Sequence, residues 1–337
     1  MTTAEQVFST HLTRPLGQPT VAEAYAPSNI ALSKYWGKRD TALNLPLNSS
    51  LSISLGPWGT QTRIEPSERD RLTFNGTDLL AADPAAAKVW RFVDLFAGPD
   101  RANLHISTQN SIPTAAGLAS SASGFAALTL ALDGAFQTGL TRAQLSMLAR
   151  FGSGSATRSF WPGFVRWQVG QAADGRDSHG HAVDSPMDDL RIAIIAVDTG
   201  PKSQTSRDGM NHTVATSPLF ESWPAQAEAD CAAIERAVKD GAFGTLGPLA
   251  EANALAMHAT MMAARPALVY LKSGSWQVLE TLWTARQNGL SAYATMDAGA
   301  NVKLIFREGT TQDVLDVFPN AQVINPWDSS GQKGTAT

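Results

Sequence analysis

The 337-residue chain carries 26 basic and 30 acidic side chains, a formal net charge of −4, and a pI near 5.9; that balance argues against a general binder of nucleic acid or anionic membranes. Its length suffices for a sizeable core and predicts two lobes, while a single cysteine, Cys231, excludes an internal disulfide and fits a reducing compartment. No basic leader followed by a long apolar run opens the chain and no apolar stretch is long enough to span a bilayer, so a soluble globular protein, in keeping with a reducing cytoplasm, is expected.

In chain order, residues 1–18 read as a lead-in loop, punctuated by Pro15 and Gly17. Residues 20–26 read as a strand ended by Pro27. The run S-N-I-A-L-S-K-Y-W-G-K-R-D at 28–40 packs Lys34, Lys38 and Arg39 around Tyr35, Trp36 and Gly37. A solvated basic cluster has no need of two aromatics and a glycine, so a site for a small polyanion competes with the solvated alternative. Alternation predicts strands at 51–55, 61–65 and 71–74, with Asn75-Gly76 as a hairpin turn. A helix at 85–96 and a strand at 104–108 deliver the chain to its central stretch.

That stretch, N-S-I-P-T-A-A-G-L-A-S-S-A-S-G at 110–124, is a loop feeding a helix. Free N–H groups at a helix start favour an anion, Gly117 and the alanines permit close approach, and Ser120, Ser121 and Ser123 offer hydroxyls to phosphate or magnesium. A helix whose small residues simply admit a close neighbour stays open as the alternative. A helix at 142–150 leads into G-S-G-S-A-T-R-S at 152–159, where Arg158 can clasp a carboxylate or phosphate in a planar fork. A strand follows, and 171–189 reads as a polar loop in which His179 and His181 are solvated rather than metal ligands.

A buried strand at 191–197 opens the second lobe. The loop K-S-Q-T-S-R-D-G-M at 202–210 is again basic and hydroxyl-rich, and helices are predicted at 213–222, 225–240, 245–263 and 273–288. Met257, Met261 and Met262 read as core filling and Cys231 as a small buried hydrophobe. A strand at 292–296 runs into D-A-G-A-N at 297–301, then a strand at 302–306. Residues 329–337 read as a disordered tail. Asp297 is the one acid in these loops placed to remove a proton, and the converging cations and hydroxyls point to magnesium-ATP-dependent phosphoryl transfer onto an anionic hydroxy acid.

In this order, the segments at 28–40, L-P-L-N-S-S-L-S-I-S-L, P-T-A-A-G-L-A-S-S-A-S-G, G-S-G-S-A-T-R-S and T-M-D-A-G-A-N-V-K resemble the diphosphomevalonate decarboxylase family of the GHMP kinase superfamily. The resemblance extends from about residue 20 to 326. It implies an α+β, two-lobe GHMP-kinase-like fold: an ATP-binding lobe at 1–190 with a mixed sheet, and a ferredoxin-like α/β sandwich at 191–328. It further implies ATP and magnesium, a homodimer, and conversion of mevalonate 5-diphosphate to isopentenyl diphosphate by phosphorylation of the tertiary hydroxyl and loss of phosphate and carbon dioxide. Carried over by position, Asp297 is the base, Arg158 holds the substrate carboxylate, Lys34 lies near the reacting groups and Ser121 near the transferred phosphate and its magnesium. Tyr35, Trp36, Gly37, Lys38, Ser153, Gly154, Ser155, Ser206 and Arg207 form the substrate edge. Asn110, Pro113, Ala115, Ala116 and Gly117, with Leu118, Ala119, Ser120, Ser121 and Ser123, surround the nucleotide.

Two departures stand out: Ala300 where the family usually has proline, and Trp161-Pro162 in place of an aromatic-glycine pair. Neither removes a reacting group. A monophosphate decarboxylase, a mevalonate 3-kinase-like paralogue and a non-catalytic nucleotide sensor are the alternatives.

Overall fold

The computed structural model describes residues 2–112, 121–198, 200, 204–328 and 330. The first segment is not the expected loop. Thr3 and Gln6 form a reciprocal capping box that starts α1 (Ala4–His11), which buries Val7 and Phe8. Phe8 then meets Phe92 and Phe96 edge-on at centroid distances of 6.0 and 6.4 Å.

β1 (Ala22–Ser33) runs straight through Pro27, contrary to expectation. The register against its partner slips between Pro27 and Asn29, and that irregularity absorbs the missing N–H. β2 (Lys38–Asp40) and β3 (Leu45–Pro46) make a small ribbon. β4 (Ser50–Pro66) unites two expected strands into one of 17 residues. Its bend is at Gly56, φ +54°, where a Cβ would stand 2.5 Å from the Asn325 carbonyl oxygen. β5 (Arg71–Phe74) and β6 (Thr77–Leu79) turn through Asn75 and Gly76, both at positive φ, as the Asn-Gly pair predicts.

α2 (Pro84–Ala97) is capped by Asp83 and leads to β7 (Leu104–Asn110). α3 (Ser121–Phe136) packs across β1 and β4, and α4 (Arg142–Ala149) precedes a 3-10 turn at Gly154–Arg158. β8 (Phe164–Trp167) pairs with β9 (Gly180–Val183), a strand inside the stretch read as loop. The four-residue G-H-A-V is too short to show a period, and His181 is a ladder residue opposite Arg166 rather than a solvated side chain. The seven strands lie in the order β6-β5-β7-β4-β8-β9, with β1 along the other side of β4.

β10 (Leu190–Ile195), α5 (Ser206–Thr216), α6 (Trp223–Lys239), α7 (Phe243–Met262) and α8 (Ser273–Gln287) follow. β11 (Ala292–Thr295), β12 (Val302–Arg307), α9 (Thr311–Val317) and β13 (Gln322–Ile324) complete an antiparallel sheet in the order β11-β12-β10-β13. α5 starts seven residues before the expected helix because Thr205 accepts from the Asp208 N–H and nucleates it. α9 and β13 were not expected; both are short. Cys231, Met257 and Met261 are buried as expected, whereas Met262 reaches the surface. The expected tail at 329–337 lies, apart from Ser330, outside the described residues.

One apolar cluster joins the two sheets. Ile30, Leu51 and Ile53 of the first pack with Ile192, Ile194 and Ile305 of the second through Ile234 and Leu246 of α6 and α7. The open side of this junction is the cleft described next.

Candidate active site

Lys34 is the first residue beyond β1, and its backbone groups are held by two amides instead of a strand. Asn253 Oδ1 accepts from the Lys34 N–H at 2.7 Å and Asn48 Nδ2 donates to its carbonyl at 2.8 Å. The side chain turns inward, donating from Nζ to the Ala31 carbonyl (2.7 Å) and to Asp297 Oδ1 (2.9 Å). Asp297 lies in the turn between β11 and β12. Lys303 Nζ stands 3.6 Å from its other oxygen, so one carboxylate faces two buried ammonium groups. Burial pulls Lys34 down to about 8, against the opposing pull of Asp297. The Asp297 side chain keeps 38% of its surface open.

That opening gives onto a cleft of about 760 Å³ walled by β1, the 34–38 segment, the Gly154–Arg158 turn, α5 and the Asp297 turn. Arg158 is buried; Nη1 donates to Ser50 Oγ at 2.7 Å, while Nε has no partner. Burial draws its guanidinium down to about 10. The Tyr35 hydroxyl, also buried and unpartnered, lies beside it, with its ring edge-on to Trp167 at 4.7 Å. Two orphaned donors facing a cleft fit an anionic acceptor. Gly154 is required here, since a Cβ would come within 2.9 Å of the Tyr35 ring.

Towards the mouth, Lys38, Lys88 and Arg207 gather, and among the described residues no carboxylate pairs with them. Desolvation, with repulsion from Arg207, brings Lys38 and Lys88 each down to about 8. Such mutual repulsion is relieved by a polyanion. Ser206 and Arg207 occupy the first turn of α5, not a loop. The N-terminus of α3 meets the cleft at Ser121, whose Oγ is 3.4 Å from Ser153 Oγ, itself 3.2 Å from Ser155 Oγ. Behind it lies a second cavity of about 220 Å³, lined by Leu72, Ile106, Phe125 and Leu128 and sharing Lys88 and Ser121 with the cleft.

Not every expected residue reaches the cleft. Gly37 is a turn residue at φ +111° packed under Phe220 and Leu47. Trp36 touches the cleft but is mainly core, among Met210, Phe220 and Met257. Ser123 is turned beneath α3, bonded to Ser28 Oγ (3.0 Å) and Thr60 Oγ1 (2.8 Å), because two positions along a helix from Ser121 is the opposite face. Asn110 borders the smaller cavity. Pro113, Ala115, Ala116, Gly117, Leu118, Ala119 and Ser120 lie outside the described residues.

Residues 26–180 match the diphosphomevalonate decarboxylase-like N-terminal domain, and 192–333 match the mevalonate 5-diphosphate decarboxylase C-terminal domain. The diphosphomevalonate decarboxylase of Candida albicans is 36% identical, covering 88% of this chain and 87% of its own. This chain belongs to the diphosphomevalonate decarboxylase family. The fold agrees. The mevalonate diphosphate decarboxylase of Staphylococcus aureus superposes with a TM-score of 0.85 at 35% identity, covering 91% of this chain and 95% of that one. The structure of MDDEF in complex with MVAPP, AMPPCP and magnesium gives 0.84 at 35% identity, covering 90% and 96%.

The Asp297 turn, with Ala300 in it, is braced from two sides. Ser275 Oγ donates to the Ala300 carbonyl at 2.6 Å, and Asn301 Oδ1 accepts from the N–H groups of Val197 and Asp198 at 2.8 and 2.9 Å. Sequence reasoning missed Asn29, Lys88, Lys303, Asn253 and His258. Asn29 lines the cleft and braces the arginine turn, donating to the Ser155 carbonyl (3.2 Å) and Ser159 Oγ (2.8 Å). Lys303 and Asn29 lie inside the motifs above, whereas Lys88 shares an amphipathic helix with Arg91 and has no glycine or hydroxyl beside it; Asn253 and His258 give no local signal.

Proposed function

We infer that this protein converts mevalonate 5-diphosphate to isopentenyl diphosphate with consumption of ATP. The observation that carries this is the cleft's polarity: a carboxylate held by two ammonium groups and a buried arginine at one end, unpaired cations at the other. Asp297 is the base for the tertiary hydroxyl proton, acting by position within its ion pairs more than by basicity. Arg158 grips the substrate carboxylate through its free Nε, and Tyr35, Lys38, Ser153, Ser155, Ser206 and Arg207 hold the diphosphate. These assignments are supported by the orphaned donors and by cleft cations with which, among the described residues, no carboxylate forms an ion pair. Gly154 permits the close turn.

Bound magnesium-ATP supplies the phosphoryl group that makes the tertiary oxygen a leaving group. The apolar cavity beside Ser121 fits a nucleotide base, and Ser121 and Lys88 sit where its phosphates would enter the cleft. Among the described residues no group of three or more His, Cys, Asp and Glu could hold a metal; Ser121 is the hydroxyl available to one carried on phosphates. With the leaving group made, Arg158 fixes the carboxylate in line for fragmentation, and Lys34 and Lys303 accept the charge shed as phosphate departs.

We further read the chain as an ATP-binding lobe at 1–190 and a second lobe at 191–328, a division supported by the two family-model matches. A cytoplasmic homodimer is proposed on the resemblance alone; among the described residues no helix is long and apolar enough to cross a membrane. The deciding assay supplies magnesium-ATP and mevalonate diphosphate and measures both products. ADP and carbon dioxide should form in equal amounts, and ADP without carbon dioxide would make the protein a kinase. Turnover confined to the monophosphate would move the substrate.

A further inference from the structure

One helix touches both halves of the Lys34–Asp297 pair. α7 sends Asn253 to the backbone N–H of Lys34 and, five residues on, the imidazole of His258 to the backbone carbonyl of Asp297, with Nε2 3.2 Å from that oxygen. Both side chains are buried. The Asp297 carbonyl lies beyond the last ladder pair of its sheet, Thr295 opposite Lys303. A carbonyl only accepts, so His258 carries its proton on Nε2.

We propose that His258 is a positioning residue for the phosphoryl-transfer and decarboxylation site, a fixed Nε2–H donor that holds the Asp297 backbone and thereby aims its carboxylate. This rests on Asp297 being the base. The charged groups facing the ring are Lys34 at the end of β1, Lys303 on β12 and Asp297 itself. An imidazolium would add a third cation around one carboxylate, on a ring that is itself buried away from water. Burial and the Lys34 ammonium instead push the ring down to about 4, keeping it neutral throughout the working range. Neutrality is what the role demands, since a charged ring would compete with Lys34 for Asp297. Asn253 does for Lys34 what His258 does for Asp297, so α7 sets the relative placement of two groups that come from different sheets.

The test compares His258→Leu, which fills space without a donor, with His258→Gln, whose amide restores one. The leucine variant should lose kcat by a factor on the order of 30 while both KM values stay within about threefold, and the glutamine variant should recover to within about fivefold of wild type. Equal losses in both variants, or a fall in melting temperature with kcat unchanged, overturn the proposal in favour of a packing role. Nitrogen-15 NMR of the full chain should show, for the resonance missing in His258→Gln, a neutral Nε2–H ring from pH 5 to 9. A ring that titrates between pH 5 and 7 overturns it even if the leucine variant fails to fold. Should wild type release ADP without carbon dioxide, the decarboxylase reading falls, while the leucine-glutamine contrast in ADP formation still reports on His258.

Discussion

At the scale of single residues, the site works by buried charge that faces an open cleft. Arg158 is the clearest case: its Nη1 is tied to Ser50 and its Nε is left for substrate. Lysine would keep the charge and lose the planar fork, so Arg158→Lys should lower kcat/KM by roughly ten- to a thousandfold, about 1.4–4 kcal/mol of transition-state stabilisation. Unchanged steady-state kinetics would reduce this arginine to a generic cation. Asp297→Asn keeps the shape of the turn but cannot take a proton; turnover should drop by about a thousandfold or more with ligand binding within about tenfold. The lysines give the pH dependence. Lys34, Lys38 and Lys88 each sit near 8, so they are ammonium groups below that pH and lose their charge above it. A site that needs those charges should therefore lose kcat/KM as pH rises through about 8. Bound anions restore the proton affinity of Lys38 and Lys88, so the limb in kcat should lie higher and be shallower than that in kcat/KM. A flat kcat/KM from pH 7 to 10 would contradict the placement of all three. These residues were legible in the sequence only where a motif collected them. Lys34, Lys38, Arg158 and Asp297 stand among glycines and aromatics, whereas Lys88 and His258 come from helices whose neighbours look like ordinary core.

At the scale of elements, the sequence was read well where the local pattern and the tertiary role agree. The Asn-Gly hairpin, the amphipathic α2 and the strands flanking Asp297 are examples. It was misread where tertiary pairing overrides a local breaker: Pro27 sits at a register slip of β1, and Gly56 bends β4 instead of ending it because the 325–328 segment crosses there. Short pieces such as β9, α9 and β13 carry too few residues for any period to show. The turn at Gly154–Arg158 tests how tightly the elements are fitted. Its glycine lies between the Tyr35 and Trp167 rings, where a methyl group would find 2.9 and 3.0 Å. Trp167 is held by its Nε1 bond to Ser178 Oγ at 3.1 Å and Tyr35 packs edge-on against it, so the turn is the part expected to move. Gly154→Ala should cost roughly 1–3 kcal/mol of stability by overpacking and displace Arg158 with it. Denaturant unfolding and substrate affinity on the same preparation would show both; an alanine variant as stable and active as wild type would mean that the rings yield.

At the scale of the molecule, the base and its ammonium partner belong to different sheets, so their alignment depends on how the sheets are joined. Several independent contacts cross the junction. Thr295 Oγ1 donates to the Ala31 carbonyl at 3.1 Å, Arg166 of the first sheet pairs with Glu228 (3.4 Å) and Glu235 on α6, and Trp327 lies against Phe164 at 6.0 Å. Beneath them one apolar cluster holds Ile53 on one side and Ile192 on the other. Each lobe has an apolar cluster of its own, but lobes joined by a further shared cluster should melt together. Calorimetry should therefore show a single transition. Ile192→Ala, a cavity placed on the second sheet's side of the junction, should lower the stability of the whole by about 2–5 kcal/mol instead of loosening one lobe. The nucleotide provides the complementary check, because its proposed contacts are all on the first sheet's side. At a free concentration of 100 times its dissociation constant it should add about 2.7 kcal/mol to a shared transition, and it should do so equally in wild type and in Ile192→Ala. Two resolved transitions, with the nucleotide shifting one and Ile192→Ala the other, would show that the lobes fold independently and that the Lys34–Asp297 pair is assembled only when they dock.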